Sequence, residues 1–366
     1  MNDDLVGGIK ILNKQNTNSK AKKPVANQKK AVRVLVMFLI ILIALAGVVV
    51  YAIYNQYQNI SKNPLAAFDA TDRPAEASGH IEGPVAQNKD DITYDGIKYT
   101  PNKNVVNILL LGIDWDETRQ DMGWRSDMNM LCTVDFVKNT MTLTSIPRDT
   151  RANVYHVDEA GKITTSGLDK INAAYSYGRG PENYGPQNAM RCISEFLSVD
   201  GQYYVPIDYF ISIDLAGVPK FASALDGITL TLDVDFPGIG NKGDVVDLNE
   251  ENSRAYLENR KQVGGELNRV SHEQQYLIAV AKKIKDKGAV ESAPSLYASF
   301  IKFIHTNLSM DQIVAFAKVL DNMDMEKMTL QTIGGDFDYI DSLSYFLPDM
   351  NDVESKMVQA MYSPVS

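Results

Sequence analysis

Residues 106–151 read VNILLLGID, a short loop, WRSD, then MNMLCTVDF, VKNT and MTLTSIPRDTR, and this stretch decides the fold. The apolar run that starts at Val106 stops abruptly at Gly112 and Asp114. Such a run predicts a strand buried on both faces, and a carboxylate at its C-terminal end faces a crevice. Residues 128–136 and 141–146 are two β-rich runs separated by four turn residues, which predicts a hairpin. Its second strand delivers Pro147-Arg148-Asp149. Three strand ends therefore bring Asp114, Arg125, Asp127 and Arg148 to one place. Two carboxylates with two guanidiniums suit a divalent cation bound to a phosphate. Aspartate oxygens hold the metal, and arginine forks neutralise phosphoryl oxygens bidentately.

The rest of the chain sets bounds on that reading. With 366 residues, 45% of them hydrophobic, it has material for one large or two modest domains. The net charge is −10, but the first 33 residues carry eight Lys/Arg against Asp3 and Asp4, which leaves −16 for the remainder. A nucleic-acid partner would need the basic face on the folded part, so none is expected. Cys132 and Cys192 have no metal-ligand spacing and read as small buried hydrophobes, with a bridge as the alternative. The four His are scattered, without a zinc or triad pattern.

Residues 1–33 are Lys- and Asn-rich and read as a disordered cytoplasmic tail. Residues 34–54 are 21 consecutive residues without charge, long enough to span a bilayer core. The basic residues before them place the N-terminus in the cytoplasm. The rival, a cleavable signal with Ala44-Leu45-Ala46 as its site, puts the cut in the middle of the apolar run. Residues 55–104 read as a stalk with a reach of roughly 35–40 Å, and residues 94–99 could add a short edge strand. From residue 105 strands and helices alternate. Helices are expected at 168–177, 186–197, 218–225, 251–257, 269–285, 296–305, 309–323 and 350–361. Strands are expected at 203–213, 228–234 and 328–332, and a polar excursion at 152–167. That alternation predicts a three-layer α/β/α sandwich with a mixed central sheet, preceded by a single transmembrane helix.

Four pieces in this order resemble the LytR–CpsA–Psr family of cell-wall phosphotransferases: LLLGID, RSD, SIPRDT and DKINAAYSYG (169–178). The resemblance runs from about Val105 to the C-terminus and makes residues 105–366 the catalytic domain. It implies a donor glycan on polyprenyl pyrophosphate in the outer leaflet and a peptidoglycan hydroxyl as acceptor. It also implies Mg²⁺ (or Mn²⁺) on Asp114 and Asp127. The pyrophosphate would lie on Arg125, Arg148, Lys170, Arg260 and Arg269, with Arg148, Arg125 and Asp127 as the catalytic set. Phosphoryl transfer is mostly positioning plus neutralisation of spread negative charge, so cations matter more than a nucleophile. Asp149 reads as a turn cap, and Asn172 as either a cap or a site residue.

The chain departs from the family pattern in its second half. In AYLENRK (255–261) Arg260 is kept, but Glu258 stands where the pattern has its first arginine. In ELNRVSHEQ (266–274) Arg269 is kept, but His272 and Glu273 replace Arg-Gln. His272 would help only when protonated, so activity is expected to rise in mildly acidic buffer. Leu215, Val218, Phe221, Leu225 and Phe300 are candidates for a tunnel around the prenyl chain, although such stripes are more often core. A catalytically weak or inactive polyprenyl-phosphate-binding module is the alternative to an enzyme, and an adhesin would leave the Asp/Arg constellation unexplained. The uncharged run with its basic flank makes topology testable. External protease should strip everything beyond about residue 60 from intact protoplasts, and a C-terminus protected until lysis would reverse the orientation.

Overall fold

The computed structural model describes residues 60, 62–68, 87–114, 123–258 and 265–365. The basic tail and the apolar run at 34–54 lie outside these. Among the described residues no helix is long and apolar enough to cross a membrane.

The strands are β1 (Ile92–Tyr94), β2 (Ile97–Pro101), β3 (Val105–Asp114), β4 (Arg125–Asp135), β5 (Thr140–Ser145), β6 (Arg151–Val157), β7 (Ile163–Lys170) and β8 (Tyr209–Asp214). They continue as β9 (Ile228–Thr231), β10 (Val245–Leu248), β11 (Ile304–Thr306), β12 (Thr329–Thr332), β13 (Gly335–Ile340), β14 (Leu343–Pro348) and β15 (Tyr362–Pro364). The helices are α1 (Ala173–Tyr177), α2 (Gly185–Leu197), α3 (Val218–Ala224), α4 (Ser253–Glu258), α5 (Glu266–Asp286), α6 (Ala289–Phe300), α7 (Met310–Asn322) and α8 (Met350–Met361).

The central sheet has the order β11-β8-β3-β4-β5-β12. β3 runs antiparallel to β4 and parallel to β8, and β12 joins β5 in parallel, so the sheet is mixed as expected. Side chains alternate across a strand. Leu109, Leu111 and Ile113 therefore enter one core, with α1, α2 and α8, while Val106 and Ile108 enter another, with α6 and α7. Burial on both faces is why β3 reads as an uninterrupted apolar run. A third core gathers α3, β9, β10 and α4 around Phe236, Tyr256 and Tyr276. α7 starts where Ser309 predicts, in a capping box with Gln312.

Several expectations are corrected. The stalk does not extend to residue 104. β1 and β2 form a sheet with the C-terminal β15, Gln87 hydrogen-bonds Ser194 and Val205, and Phe68 is buried beside Phe136 and Tyr209. These segments hold few apolar residues, and their partners are far away in sequence. The polar excursion at 152–167 is the β6–β7 ribbon, which reaches Lys170, so the helix expected from 168 begins only at Ala173. The helix expected over 296–305 ends at Phe300 and is followed by the edge strand β11. β10 and the β13–β14 hairpin were not anticipated. Cys132 and Cys192 are buried in the two cores on opposite faces of the sheet, which excludes a bridge. Burial pushes both thiols up to about 12.

Gly112 sits where β3 meets a bulge in β4. A Cβ there would stand 2.9 Å from Met128 Cβ and 3.1 Å from Leu215 Cδ2. Met128 Cβ is fixed to the partner strand, so the strand itself must yield. Gly112→Ala should destabilise the fold by about 1–3 kcal/mol, the usual cost of overpacking, read from denaturant midpoints.

Candidate active site

A register shift builds the site. Gly112 pairs with Met128, but Ile113 pairs with Ser126 and Asp114 with Arg125, so Asp127 is the inserted residue of a β-bulge. Bulges re-aim a side chain at the end of a ladder. Here the bulge brings Asp127 Oδ2 to 2.6 Å from Arg148 Nη1. Arg148 is held by its own loop, in which the Thr150 amide and hydroxyl both donate to the Pro147 carbonyl, at 3.0 and 2.6 Å.

Asn172 ties the two strand ends together. The Ser126 amide donates to its carbonyl at 3.3 Å, and its own amide donates to the Arg148 carbonyl at 3.2 Å. Its side chain makes no helix cap and instead accepts from Arg125 Nη1 at 3.4 Å. Asn172 is thus a positioning residue for both arginines. Asp149 also does more than the turn capping expected of it. Its Oδ1 lies 2.9 Å from Lys170 Nζ and its Oδ2 4.0 Å from Arg148 Nε. Lys170 therefore joins Arg148 through a shared carboxylate, with the Tyr345 ring 5.7 Å away.

α5 closes the other side. Arg269, only 3% exposed, donates through Nη2 to the Asp127 carbonyl at 2.9 Å and contacts both Glu266 and Glu273. Glu266 Oε1 also lies 3.4 Å from Arg148 Nε, so one carboxylate bridges two guanidiniums. Sequence reading passed over Glu266, although its spacing three residues before Arg269 is a helix-face signal. Arg148 Nε is buried and meets Glu266 and Asp149 only as ion pairs, without a hydrogen bond.

Glu273 is the acid that replaces the glutamine of the family pattern. Burial pushes its carboxyl up to about 8; Arg269 and Arg148 oppose the shift, while Glu266 and Asp127 reinforce it. Burial thus favours its neutral form, which is close in shape to an amide. Arg148 and Arg269 are then balanced by Asp127 and Glu266. His272 takes no part. It lies in the third core between Phe236 and Tyr256, with Nε2 3.3 Å from Asp233 Oδ1, and burial lowers its pKa against the pull of Asp233. The expected gain from His272 protonation in acidic buffer is corrected accordingly. The Glu258 side chain, Arg260 and Lys261 lie outside the described residues.

Beside Glu273 is an apolar cavity of about 60 Å³, floored by Gly112 and Met128 and walled by Leu215, Val218, Phe221 and Leu277. Three of the five tunnel candidates line it. Leu225 is buried in the third core, and Phe300 stacks on Phe221 with ring centroids 3.6 Å apart. The volume suits a few methylene groups, so a long chain would require the helices to part from the sheet.

Among the described residues no group of three or more His, Cys, Asp or Glu is placed to hold a metal. Asp114 ends β3 opposite Arg125, and Asp127 is the bulge residue of β4 with its Oδ2 on Arg148 Nη1. Each brings carboxylate oxygens of the class a hard cation takes alongside phosphate and water.

The buried Glu273 yields a pH prediction. In the unfolded chain it ionises near the ordinary glutamate value, while in the fold it stays protonated up to about 8. The stability tied to its neutral form is fully present below the unfolded value and is lost as pH rises through about 8. Glu273→Gln should therefore melt near wild type at pH 5 but higher at pH 8, at roughly 2–4 °C or less for each kcal/mol recovered in a domain of this size. Parallel Tm–pH curves for the two proteins would refute it.

Residues 72–361 match the LytR_cpsA_psr family. The chain is 29% identical over 325 residues to the protein named polyisoprenyl-teichoic acid–peptidoglycan teichoic acid transferase TagU from Bacillus mycoides (strain KBAB4), covering 87% of this chain and 94% of that one. The correspondingly named TagV of Bacillus subtilis (strain 168) is 27% identical over 293 residues, covering 73% and 69%. The crystal structure of B. subtilis TagV matches with a TM-score of 0.57 at 26% identity, over 70% of this chain and 97% of that one. A structure of TagT bound to LIIa-WTA shares the fold, with a TM-score of 0.56 at 20% identity over 78% and 98%. With its motifs in order on this sheet and a match across most of its length, the chain belongs to the LytR_cpsA_psr family.

Proposed function

We propose that this protein is a membrane-anchored phosphotransferase that moves a teichoic-acid- or capsule-like glycopolymer from a polyprenyl-pyrophosphate carrier to peptidoglycan. The observation that carries it is the Asp127–Arg148–Glu266–Arg269 network, in which Glu266 Oε1 lies 3.4 Å from Arg148 Nε and also contacts Arg269 Nη2. An anion already occupies the place a phosphoryl group would take. The names of the TagU and TagV relatives support the same class of reaction.

In this reading the donor pyrophosphate displaces Glu266 and lies on Arg148 and Arg269, with Lys170 and Arg125 as further positive charges. A sugar hydroxyl of the acceptor attacks the phosphorus that bears the glycan. A new P–O bond forms, the P–O bond to the bridging oxygen breaks, and polyprenyl phosphate leaves, the hydroxyl's proton passing to it through solvent. Arg148 neutralises charge on the transferring group, where preorganised donors are worth the most. Asp114 and Asp127 would hold Mg²⁺ or Mn²⁺, which supplies further neutralisation when bound. The prenyl tail enters the apolar cavity beside Glu273. The uncharged run at 34–54 anchors the chain, with the N-terminus cytoplasmic and residues 105–366 outside the membrane, at the leaflet that carries the donor.

A binding module without turnover is the second reading, favoured by the depth at which Arg269 is buried beneath two glutamates. Cleavage of a lipid-linked pyrophosphate donor with Mg²⁺ separates the two. Arg148→Ala should lower the rate of the folded enzyme by roughly 30- to 1,000-fold, equivalent to the loss of about 2–4 kcal/mol of transition-state stabilisation, alongside a lower Tm from the carboxylates left unpaired. Asp127→Ala should raise the Mg²⁺ concentration needed for half-maximal rate. Tight donor binding with no turnover in wild type would establish the module, and near-wild-type turnover in Arg148→Ala would put the site elsewhere.

A further inference from the structure

Arg151 is a cation that the reaction above does not use. It opens β6, three residues after Arg148, and stands directly opposite Lys170 of β7. Residues opposite each other in an antiparallel pair project from the same face, and two like charges placed so destabilise the ribbon. Lys170 is answered by Asp149, whose Oδ1 lies 2.9 Å from its Nζ. Arg151 is half-buried and has no such answer. Its guanidinium lies over the buried Tyr345 ring, 6.0 Å from the centroid, and among the described residues no acid comes within ion-pair distance of it. Acids on the elements around it are engaged elsewhere. Glu195 accepts from Asn153 and Tyr155, Asp169 accepts from Tyr177, and Asp338, opposite Tyr345 in the β13–β14 hairpin, accepts from the Tyr339 amide.

The contacts around Arg151 give it a direction. Arg148 Nε lies 4.0 Å from Asp149 Oδ2, Asp149 reaches Lys170, and Lys170 and Arg151 share the Tyr345 ring at 5.7 and 6.0 Å. A line of cations thus leaves the phosphate site along the β6–β7 ribbon. The apolar cavity leaves it the other way. Met128, on the cavity floor, shares its strand face with Met130 of the second core, whereas Ala152 and Val154 of β6 enter the first core, across the sheet. A donor with its tail in the cavity and its pyrophosphate at the strand ends therefore carries its glycan toward Lys170 and Arg151. We propose that Arg151 selects the donor by taking an anionic group of the glycan, a phosphodiester or a carboxylate, that lies beyond the pyrophosphate.

A guanidinium suits that task. It offers paired N–H donors to two oxygens at once and stays charged across the working pH range. Its cation–π contact with Tyr345 holds the group in place without using those donors. An incoming anion would also relieve the repulsion between Arg151 and Lys170, so the cost built into the ribbon is recovered when the donor binds. The inference rests on the transferase reading for the identity of its donor, but selection shows in binding as well as in turnover.

The test uses the full-length protein in detergent micelles with synthetic lipid-pyrophosphate donors. They share their lipid and first sugars and differ in the next unit, which is neutral, phosphodiester-bearing or carboxylate-bearing. Wild type should bind and cleave a charged donor better than the neutral one. In Arg151→Gln the ratio of kcat/KM for that charged donor over the neutral donor should fall by roughly three- to thirtyfold, mainly through KM, as expected for one charge-assisted contact at a half-exposed site. Arg151→Lys should keep most of the ratio. An arginine that only supports Tyr345 would lower Tm and slow every donor alike, so the ratio decides and a loss of folding cannot imitate it. Preference for the phosphodiester donor assigns a polyol-phosphate polymer, and preference for the carboxylate donor a uronate-bearing one. Equal handling of all donors by wild type, or a ratio unchanged in Arg151→Gln, overturns the proposal and leaves the transferase reading standing. If wild type cleaves no donor yet binds a charged one through Arg151, the selection stands and the transferase reading falls.

Discussion

The site depends on compensating positive charge that is largely removed from water. Arg269 is buried and Arg148 nearly so, and a buried guanidinium is tolerable only when acids and carbonyls surround it. Asp127 answers Arg148, the Asp127 carbonyl answers Arg269, and Glu266 answers both. Three elements remote in sequence are thereby held together: the β4 bulge, the loop after β5, and the first turns of α5. A phosphate that entered here would take over a role already filled by carboxylate, so ligand exchange need not leave either cation bare.

Glu273 makes sense within the same accounting. As an ionised acid it would leave the network with one negative charge too many in a buried place. As a neutral acid it leaves two arginines against two carboxylates. It stands between that polar network and the apolar cavity walled by Leu215, Val218 and Phe221. The departure that looks most damaging in the sequence is thus mild in the fold, because burial suppresses the charge that would have done the damage.

Much of this was legible in the residues. The uninterrupted apolar run of β3, the hairpin of β4 and β5, the capping box of α7 and the helix of α5 all follow from local periodicity and composition. So does the convergence of Asp114, Arg125, Asp127 and Arg148 on adjacent strand ends. The β6–β7 ribbon was less legible because its exposed positions are polar and its Leu168 points to solvent. The β13–β14 arm alternates as a hairpin should and turns on Asp341-Ser342, a cue that was available but weak without glycine.

By itself the sequence determined the sheet's central strands, the family, and which acids and arginines gather at the strand ends, since each depends on neighbours within a few residues. Only the tertiary structure decided that a bulge inserts Asp127, that Glu266 bridges Arg148 and Arg269, that Asn172 positions both strand ends, and that His272 belongs to a different core. It also decided that residues 87–104 close on the C-terminal strand rather than form a tether. The reason is physical. Burial and pairing between elements more than a hundred residues apart set the charge of Glu273 and bring Arg148 and the Asp127 carbonyl to the Glu266–Arg269 pair, and no local window of sequence contains both sides of those contacts.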